Sequence, residues 1–134
     1  MTVWIGSKLA FAIHSLQLSE HGGDDGVRDA NLLESALARP HNIAAYEPDH
    51  DLARLAAAYG CTMIKNHPFI DGNKRTGYVV METFIILNGQ SLAATEEEKY
   101  PIVMAVADGT MSEEELARWL RERLVGSQVP AVTK

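Results

Sequence analysis

Apolar residues recur every three or four positions along most of the chain, which is the spacing of an amphipathic helix. The clearest stretch predicts a helix from about Asp49 to Asn66, and its apolar face is formed by Leu52, Leu55, Ala56, Tyr59 and Met63. Pro68 follows and prevents this helix from continuing. The remainder of the sequence has a similar character and predicts a series of helices joined by short turns.

The first third of the chain predicts two helices separated by a glycine-rich loop over residues 21–26. The first helix starts at Ser7, as its cap, and runs to about Leu18, with an apolar face made of Leu9, Ile13 and Leu16. The second runs from about Asp29 to Arg39, where Pro40 is expected to stop it. Residues 40–48 show no helical pattern and are expected to form a loop or a small hairpin.

The stretch from Asn73 to Asn88 is apolar on almost all sides. A helix of this kind is normally buried, so we expect it at the centre of the fold. Two later helices are indicated by capping-box spacing at Thr95–Glu98 and Ser112–Glu115. Together these elements predict an all-α bundle around a buried central helix, with at most a small β-hairpin.

The length of 134 residues suits one domain, which we place at residues 1–125 with a flexible tail over residues 126–134. No apolar run approaches the ~20 residues of a membrane span, and the N-terminus lacks the pattern of a secretory signal. Cys61 is the only cysteine, so a reducing cytoplasm is the expected location. A net charge of -6 does not suit a nucleic-acid backbone, and neither nucleic acid nor a membrane is expected as a direct partner.

The segment between the third helix and the buried helix reads NHPFIDGNKRTG, over residues 66–77. The buried helix is expected to begin near Gly72 or Asn73. The first N–H groups of a helix have no internal partner and the helix dipole is positive there, so this end can bind an anion. Gly72 lets a phosphate approach the backbone closely, while Lys74 and Arg75 add charge and donors.

Three further residues complete a candidate site in this segment. Asp71 can hold Mg²⁺, which commonly uses one carboxylate together with substrate phosphates. His67 has an imidazole side chain, the commonest general base in proteins, and can take a proton from an attacking hydroxyl. Phe69 is expected to turn inward and anchor the loop. A base, a metal ligand and an anion site are the parts that phosphoryl or nucleotidyl transfer requires.

Each of these residues also has an ordinary structural explanation when it is taken alone. Asp71-Gly72-Asn73 is a common turn and helix start. A histidine beside a proline is more often structural than catalytic, and Lys74 and Arg75 on a helix surface are usually solvated. The combination within one short segment, at the mouth of a buried helix, is what favours a functional site.

The segment resembles the Fic motif, H-x-F-x-[D/E]-G-N-G-R-x-x-R, and more closely the version of the death-on-curing (Doc) toxin branch, H-x-F-x-D-[A/G]-N-K-R-T. The positions that match this branch are His67, Phe69, Asp71, Asn73, Lys74, Arg75 and Thr76. The Gly22-Gly23 loop, the order of the helices and the chain length are also similar. The resemblance covers nearly the whole chain and implies the all-helical Fic core.

The resemblance also implies roles for individual residues. His67 would be the catalytic base and Asp71 would bind Mg²⁺. The phosphates of ATP would be held by Gly72, Asn73, Lys74 and Arg75. Residues 39–47 lie where Fic proteins have a flap that docks the target segment.

Two departures from the Fic motif bear on the reaction. Lys74 replaces the second glycine, and Tyr78 replaces the final arginine, which in Fic adenylyltransferases grips the terminal phosphate of ATP. Doc toxins share both departures, bind ATP in the opposite direction and transfer its γ-phosphate to a threonine of elongation factor Tu, which arrests translation. The resemblance therefore implies a protein kinase, with adenylyl transfer as the alternative.

The inhibitory [S/T]-x-x-x-E-[G/N] helix of many Fic proteins has no match in this sequence. Thr110 and Glu114 have the spacing of its first and fifth positions, but the next residue is Glu115 where the motif requires glycine or asparagine. Control by a separate molecule is implied. In the Doc branch this is an antitoxin that folds a disordered tail onto the toxin.

Two other function classes compete with this interpretation. His50-Asp51 supplies the dipeptide of HD-type metal phosphohydrolases, although Asp51 is more simply explained as a helix cap. A non-catalytic binding module could also retain the Fic fold, but the intact His67 and Asp71 argue against it.

Overall fold

The computed structural model describes residues 1–126, which fold into helices and one small antiparallel sheet. In chain order the elements are α1 (Ser7–His21), α2 (Ala30–Tyr46), α3 (Leu52–Asn66), α4 (Asn73–Leu87), β1 (Gln90–Leu92), α5 (Glu96–Asp108), α6 (Glu113–Arg121) and β2 (Leu124–Gly126). The predicted all-α class is confirmed. Within the described part of the chain, no helix has both the length and the hydrophobicity to cross a membrane.

The small sheet ties the end of α4 to the end of α6. Strand β1 pairs antiparallel with β2, with Ser91 opposite Val125 and Gln90 opposite Gly126. Gly126 was predicted to begin a flexible tail, but it is the last residue of β2. The rest of the predicted tail, residues 127–134, lies outside the described residues.

The most completely buried helix is α3, which packs against α2, α4 and α6. Its buried residues are Ala53, Leu55, Ala56, Ala57, Ala58, Tyr59, Gly60, Cys61, Met63 and Ile64. Small side chains let neighbouring helices approach closely, so α3 can be covered on several sides. The prediction that the helix beginning at Asn73 is central is therefore only partly right. Helix α4 has a buried face, but Ile86 and Leu87 near its end are exposed.

Helix α2 continues through Pro40 to Tyr46. The prediction that this helix stops at Arg39 is therefore wrong, and so is the prediction of a loop or hairpin over residues 40–48. A flap with the form of a loop or hairpin at residues 39–47 is excluded for the same reason. A proline inside a helix removes one hydrogen bond and crowds the preceding turn, which costs about 3 kcal/mol. The second half of α2 offsets this cost because Pro40 and Ile43 are both buried against the core.

Several helix ends follow the sequence signals. Thr95 and Ser112 form the predicted capping boxes of α5 and α6. Asp51 accepts a hydrogen bond from the backbone N–H of Arg54, so α3 begins at Leu52 instead of Asp49. Ser7 does not cap α1, because Gly6 occupies the cap position without a side-chain bond.

An ion cluster joins α2, α3 and α6. Glu113 lies 2.8 Å from Arg39 and 2.5 Å from Arg54, and Arg54 also pairs with Glu47 at 3.0 Å. Burial alone would raise the pKa of the Glu113 carboxyl, but the two guanidinium groups outweigh burial and hold this pKa below its usual value. The cluster fixes the end of α2 and the start of α6 against α3.

Helices α3 and α4 meet directly at two glycines. A Cβ added to Gly60 would lie 2.7 Å from the sulfur of Met81, and one added to Gly77 would lie 2.7 Å from Cγ1 and 3.3 Å from the backbone N of Ile64. The position of the first turn of α4 therefore depends on the absence of a side chain at residue 77.

We expect the substitution Gly77→Ala to lower the free energy of unfolding by about 1–3 kcal/mol, the usual effect of overpacking. Chemical denaturation measures this change. Gly6→Ala is the control, because the added methyl group meets no atom within 4 Å. Stabilisation by Gly77→Ala of about 1 kcal/mol, which helix propensity alone would give, would show that the two helices are not in close contact.

Candidate active site

The segment singled out in the sequence forms a loop between α3 and α4. The loop begins at His67, which has left-handed backbone angles (φ 49°, ψ 56°) and is the only non-glycine residue of positive φ within residues 1–126. Such a conformation is unfavourable by roughly 1 kcal/mol. The side chain of Arg28 stabilises this turn by donating to the carbonyl oxygens of His67 (2.6 Å) and Asn66 (2.7 Å).

The connection between α1 and α2 runs beside this loop in an extended conformation. Ile70 N–H donates to the carbonyl of Gly26 (3.0 Å), and the N–H groups of Arg28 and Asp29 donate to the carbonyl of Pro68 (2.7 and 3.1 Å). The short extended segment next to the motif is thus residues 26–29, and not residues 39–47, where the resemblance placed a flap. These bonds fix the loop from its outer side.

The side chain of Asn73 fixes the loop from its inner side. Its amide oxygen accepts from the N–H of Phe69, and its amide nitrogen donates to the carbonyl of Phe69, both at 2.9 Å. The Asn73 side chain is buried, and both its amide oxygen and its amide nitrogen take part in this pair of bonds. Phosphate binding by Asn73 stays a prediction, for which its backbone N–H is a donor without an acceptor in the described part of the chain.

Phe69 and His14 join the loop to α1. The Phe69 ring is buried and stacks on the ring of His14, with ring centres 3.8 Å apart and planes 8° apart. His14 Nε2 lies 2.9 Å from the carbonyl oxygen of Asp71, a bond in which the nitrogen must be the donor. The sequence analysis did not place His14 in the site, and so missed its contact with the motif.

The predicted apolar face of α1 is only partly right, because Ile13 is its one buried member. The helix buries Ala10, Ile13, His14 and Gln17, whereas Leu9 and Leu16 are exposed. A signal was present in the sequence, because His14, Gln17 and His21 recur at spacings of three and four and therefore share one face of a helix.

A solvent-accessible groove of about 820 Å³ lies above the loop. Its walls come from α1, the motif loop, α4 and α5. The residues that line it are Gln17, His21, His67, Ile70, Asp71, Gly72, Asn73, Lys74, Arg75, Tyr78, Val79, Glu82, Glu96, Lys99, Tyr100, Val103 and Met104. All the predicted site residues except the buried anchor Phe69 therefore border one groove.

The first turn of α4 faces this groove with free backbone donors. Within residues 1–126, the N–H groups of Asn73, Lys74 and Arg75 have no hydrogen-bond acceptor, and the helix ladder begins with Thr76 N–H donating to Gly72 at 2.9 Å. Gly72 N–H donates to Asp71 Oδ1 at 3.0 Å. Of the four N–H groups of residues 72–75, the three of residues 73–75 therefore remain available to an anion.

The carboxylate of Asp71 is held by backbone donors. Oδ1 accepts from Gly72, and Oδ2 lies 3.3 Å from the N–H of Asp24. An ionised carboxylate has about four acceptor positions, so capacity for a cation remains. The described residues contain no group of three or more side chains that could hold a metal ion. Mg²⁺ held by one carboxylate, phosphates and water requires no such group, so Asp71 is compatible with this ion.

The α4–α5 wall of the groove carries a cluster of three polar side chains. Glu82 accepts from the hydroxyl of Tyr78 (3.2 Å) and from Lys99 Nζ (3.0 Å), and Lys99 Nζ lies 5.5 Å from the centre of the Tyr78 ring. Burial raises the pKa of Tyr78. Burial lowers the pKa of Lys99, but its contacts with Tyr78 and Glu82 outweigh burial and raise this pKa above its ordinary value. Sequence reasoning missed Lys99 and Glu82, since their partners lie on different helices.

The His50-Asp51 dipeptide lies outside this groove and has structural partners. Asp51 caps α3 and pairs with Arg121 at 2.5 Å. His50 Nδ1 lies 2.6 Å from the carbonyl oxygen of Glu47. The sequence-based explanation of Asp51 as a helix cap is confirmed.

Comparison with known proteins agrees with the motif. The profile of the Fic/DOC family matches residues 4–85, which include α1 to most of α4 and therefore the whole loop. The chain belongs to the Fic/Doc family.

Two curated relatives of this family are similar to the chain. The protein named "Toxin Doc" of Mycolicibacterium smegmatis is 42% identical over 77 residues, which are 54% of this chain and 57% of the relative. The chain thus spans little more than half the length of that toxin. "Protein kinase doc" of Escherichia phage P1 is 32% identical over 116 residues, which are 87% of this chain and 90% of the relative. The resemblance expected from the motif is confirmed.

We expect Asn73→Ala to destabilise this Fic/Doc protein by about 2 kcal/mol or more, because it leaves the backbone N–H and the backbone carbonyl of the buried Phe69 without partners. Asn31→Ala is the matched control, since Asn31 is exposed and its side chain forms no hydrogen bond with the described residues. Thermal or chemical denaturation measures both. Equal stability of the two variants would mean that the Asn73 bonds do not hold the loop.

Proposed function

We propose that this Fic/Doc protein is the toxin of a toxin–antitoxin module and transfers the γ-phosphate of ATP to a serine or threonine hydroxyl of a translation factor, by resemblance elongation factor Tu, so that translation stops. One observation carries the proposal: the free N–H groups of Asn73, Lys74 and Arg75 border the same groove as His67 and Asp71. The names of the two relatives, a toxin and a protein kinase, support both halves of it.

His67 is the proposed general base. Its side chain is exposed at the groove, while its backbone is fixed by Arg28. The imidazole takes the proton of the target hydroxyl as the hydroxyl oxygen forms a bond to the γ-phosphorus. The bond between the γ-phosphorus and the oxygen that bridges it to the β-phosphate breaks, and ADP leaves with that electron pair. A positioned base contributes roughly 10²–10⁴-fold to the rate of such a step.

The first turn of α4 is the proposed phosphate site. Its free amides, the positive end of the helix dipole and the side chains of Lys74 and Arg75 all favour negative charge at this place. Asp71 is the proposed ligand of Mg²⁺, which would neutralise charge on the phosphates when bound. Charge stabilisation and positioning supply most of the catalysis in phosphoryl transfer.

The Tyr78 region supports γ-phosphate transfer over adenylyl transfer. Tyr78 occupies the position of the arginine that the Fic motif uses for the terminal phosphate, and it places an uncharged phenol there. The cation beside it, Lys99, is already paired with Glu82 (3.0 Å) and Glu96 (3.2 Å). A terminal phosphate would therefore meet no unpaired cation from these residues at this end of the groove.

We further propose that a separate antitoxin controls the protein in the cytoplasm by folding a disordered tail onto it. The relative named as a toxin supports this partner. Coupled folding of a labile segment suits an inhibitor that must be removed quickly. The target factor and the antitoxin are protein partners, and no nucleic acid takes part directly.

The test is a pair of labelling reactions in a cell lysate, one with γ-labelled and one with α-labelled ATP. We expect label on a protein only from the γ-labelled donor, and a loss of at least about 100-fold with His67→Ala, which removes the base. His41→Ala is the matched control, because His41 stacks on Trp4 away from the groove.

Three outcomes would contradict the proposal in different ways. Protein labelling from the α-labelled donor would identify an adenylyltransferase. Labelling that survives His67→Ala would remove the proposed base. Growth inhibition that persists in His67→Ala, without transfer of either label, would favour a non-catalytic binding module.

A further inference from the structure

The α1 wall of the groove contributes a polar side chain that has no internal partner. Gln17 is only 7% exposed and lines the groove. Among residues 1–126 its side-chain amide forms no hydrogen bond, whereas its neighbour His14, on the same face of α1, bonds to Asp71. A buried glutamine without partners is unusual, because most buried polar side chains are hydrogen-bonded.

The amide of Gln17 lies at the edge of the groove and not in the sealed core. In the described part of the chain, the hydroxyl oxygen of Thr76 is the only fully buried side-chain polar atom that lacks a partner. The amide atoms of Gln17 therefore keep some access to the open space of the groove. A carboxamide offers two N–H donors and an acceptor oxygen, and leaving such a group largely desolvated and unpaired is unfavourable.

The position of Gln17 indicates which part of a ligand it would meet. Its neighbours on α1 lie against the start of α4, since a Cβ on Gly72 would be 3.4 Å from Leu18 and 3.9 Å from the His14 ring. Gln17 lies between these two residues in the sequence and faces the groove. Gln17 thus lines the same groove as the turn whose free N–H groups and cationic side chains favour an anion.

We propose that Gln17 is a further ligand-binding residue of the groove, whose side-chain amide donates a hydrogen bond to a phosphate oxygen of the bound nucleoside triphosphate. The inference rests on the proposed nucleotide site and deepens it, because it adds a donor from α1 to those of α4. The bound phosphate provides the hydrogen-bond acceptor that the Gln17 amide lacks among the described protein atoms.

The test compares Gln17→Met with the wild-type protein by calorimetric titration of the full chain with Mg–ATP and, separately, with inorganic tripolyphosphate. Methionine has a similar shape but no N–H donor. We expect the dissociation constants of both ligands to rise by about 10-fold, since one hydrogen bond to a charged group contributes on the order of 1.5 kcal/mol. The melting temperature should stay the same or rise, because no internal bond is lost. Gln90→Met is the control, since Gln90 lies in β1 outside the groove.

Each outcome has a definite meaning. Weaker binding of both ligands at unchanged stability would support the inference. Unchanged affinity in Gln17→Met, with binding by the wild-type protein, would overturn this inference and leave the proposed function standing. Weaker binding of Mg–ATP but not of tripolyphosphate would overturn the phosphate contact. A fall in melting temperature with the affinity loss would assign Gln17 a structural role, and no binding by the wild-type protein would overturn both proposals.

Discussion

The site depends on one constraint, which is that the loop before α4 must be held rigidly without using the backbone donors of the helix itself. The Asn73 amide meets this constraint by bonding the backbone N–H and the backbone carbonyl of Phe69, both at 2.9 Å. The helix can then begin with open N–H groups at residues 73–75. If the loop carbonyls satisfied those groups instead, the loop would be equally well ordered but could not bind an anion through them.

The rest of the fold supports this arrangement from several sides. Helix α3 supplies the base on which α4 rests, and the bare backbone of Gly77 lets α4 approach Ile64 closely. Helix α1 covers the loop through the stacked rings of His14 and Phe69, and the segment over residues 26–29 pairs with the outer edge of the loop. The chain thus positions a short polar segment through contacts between residues that are far apart in sequence.

Local sequence signals were sufficient for the motif and for several helix ends. The capping boxes at Thr95 and Ser112 and the glycine before Asn73 act over a few residues, so their consequences could be predicted. The continuation of α2 through Pro40 could not be predicted, because the propensity of proline opposes a helix and is offset by tertiary contacts such as the burial of Pro40 and Ile43.

The same limitation explains the groove residues that were not anticipated. His14 meets Asp71 across 57 positions of sequence, and Lys99 meets Glu82 across 17. The sequence pattern of α3 predicted one apolar face, whereas its alanine and glycine residues allow neighbouring helices to cover it on further sides. The motif can therefore identify the part of the groove formed by residues 67–75. The residues of α1 and α5 that line the groove can be identified only from the packing of the helices.

The most direct test of the central claim is an NMR titration of the ¹⁵N-labelled protein with Mg–ATP that follows the backbone amides of residues 72–75. An anion at the free end of α4 should shift the signals of Asn73, Lys74 and Arg75 most strongly, and that of Gly72 less, because its N–H is already bonded to Asp71. Saturable binding that leaves the signals of residues 73–75 unchanged would contradict the account.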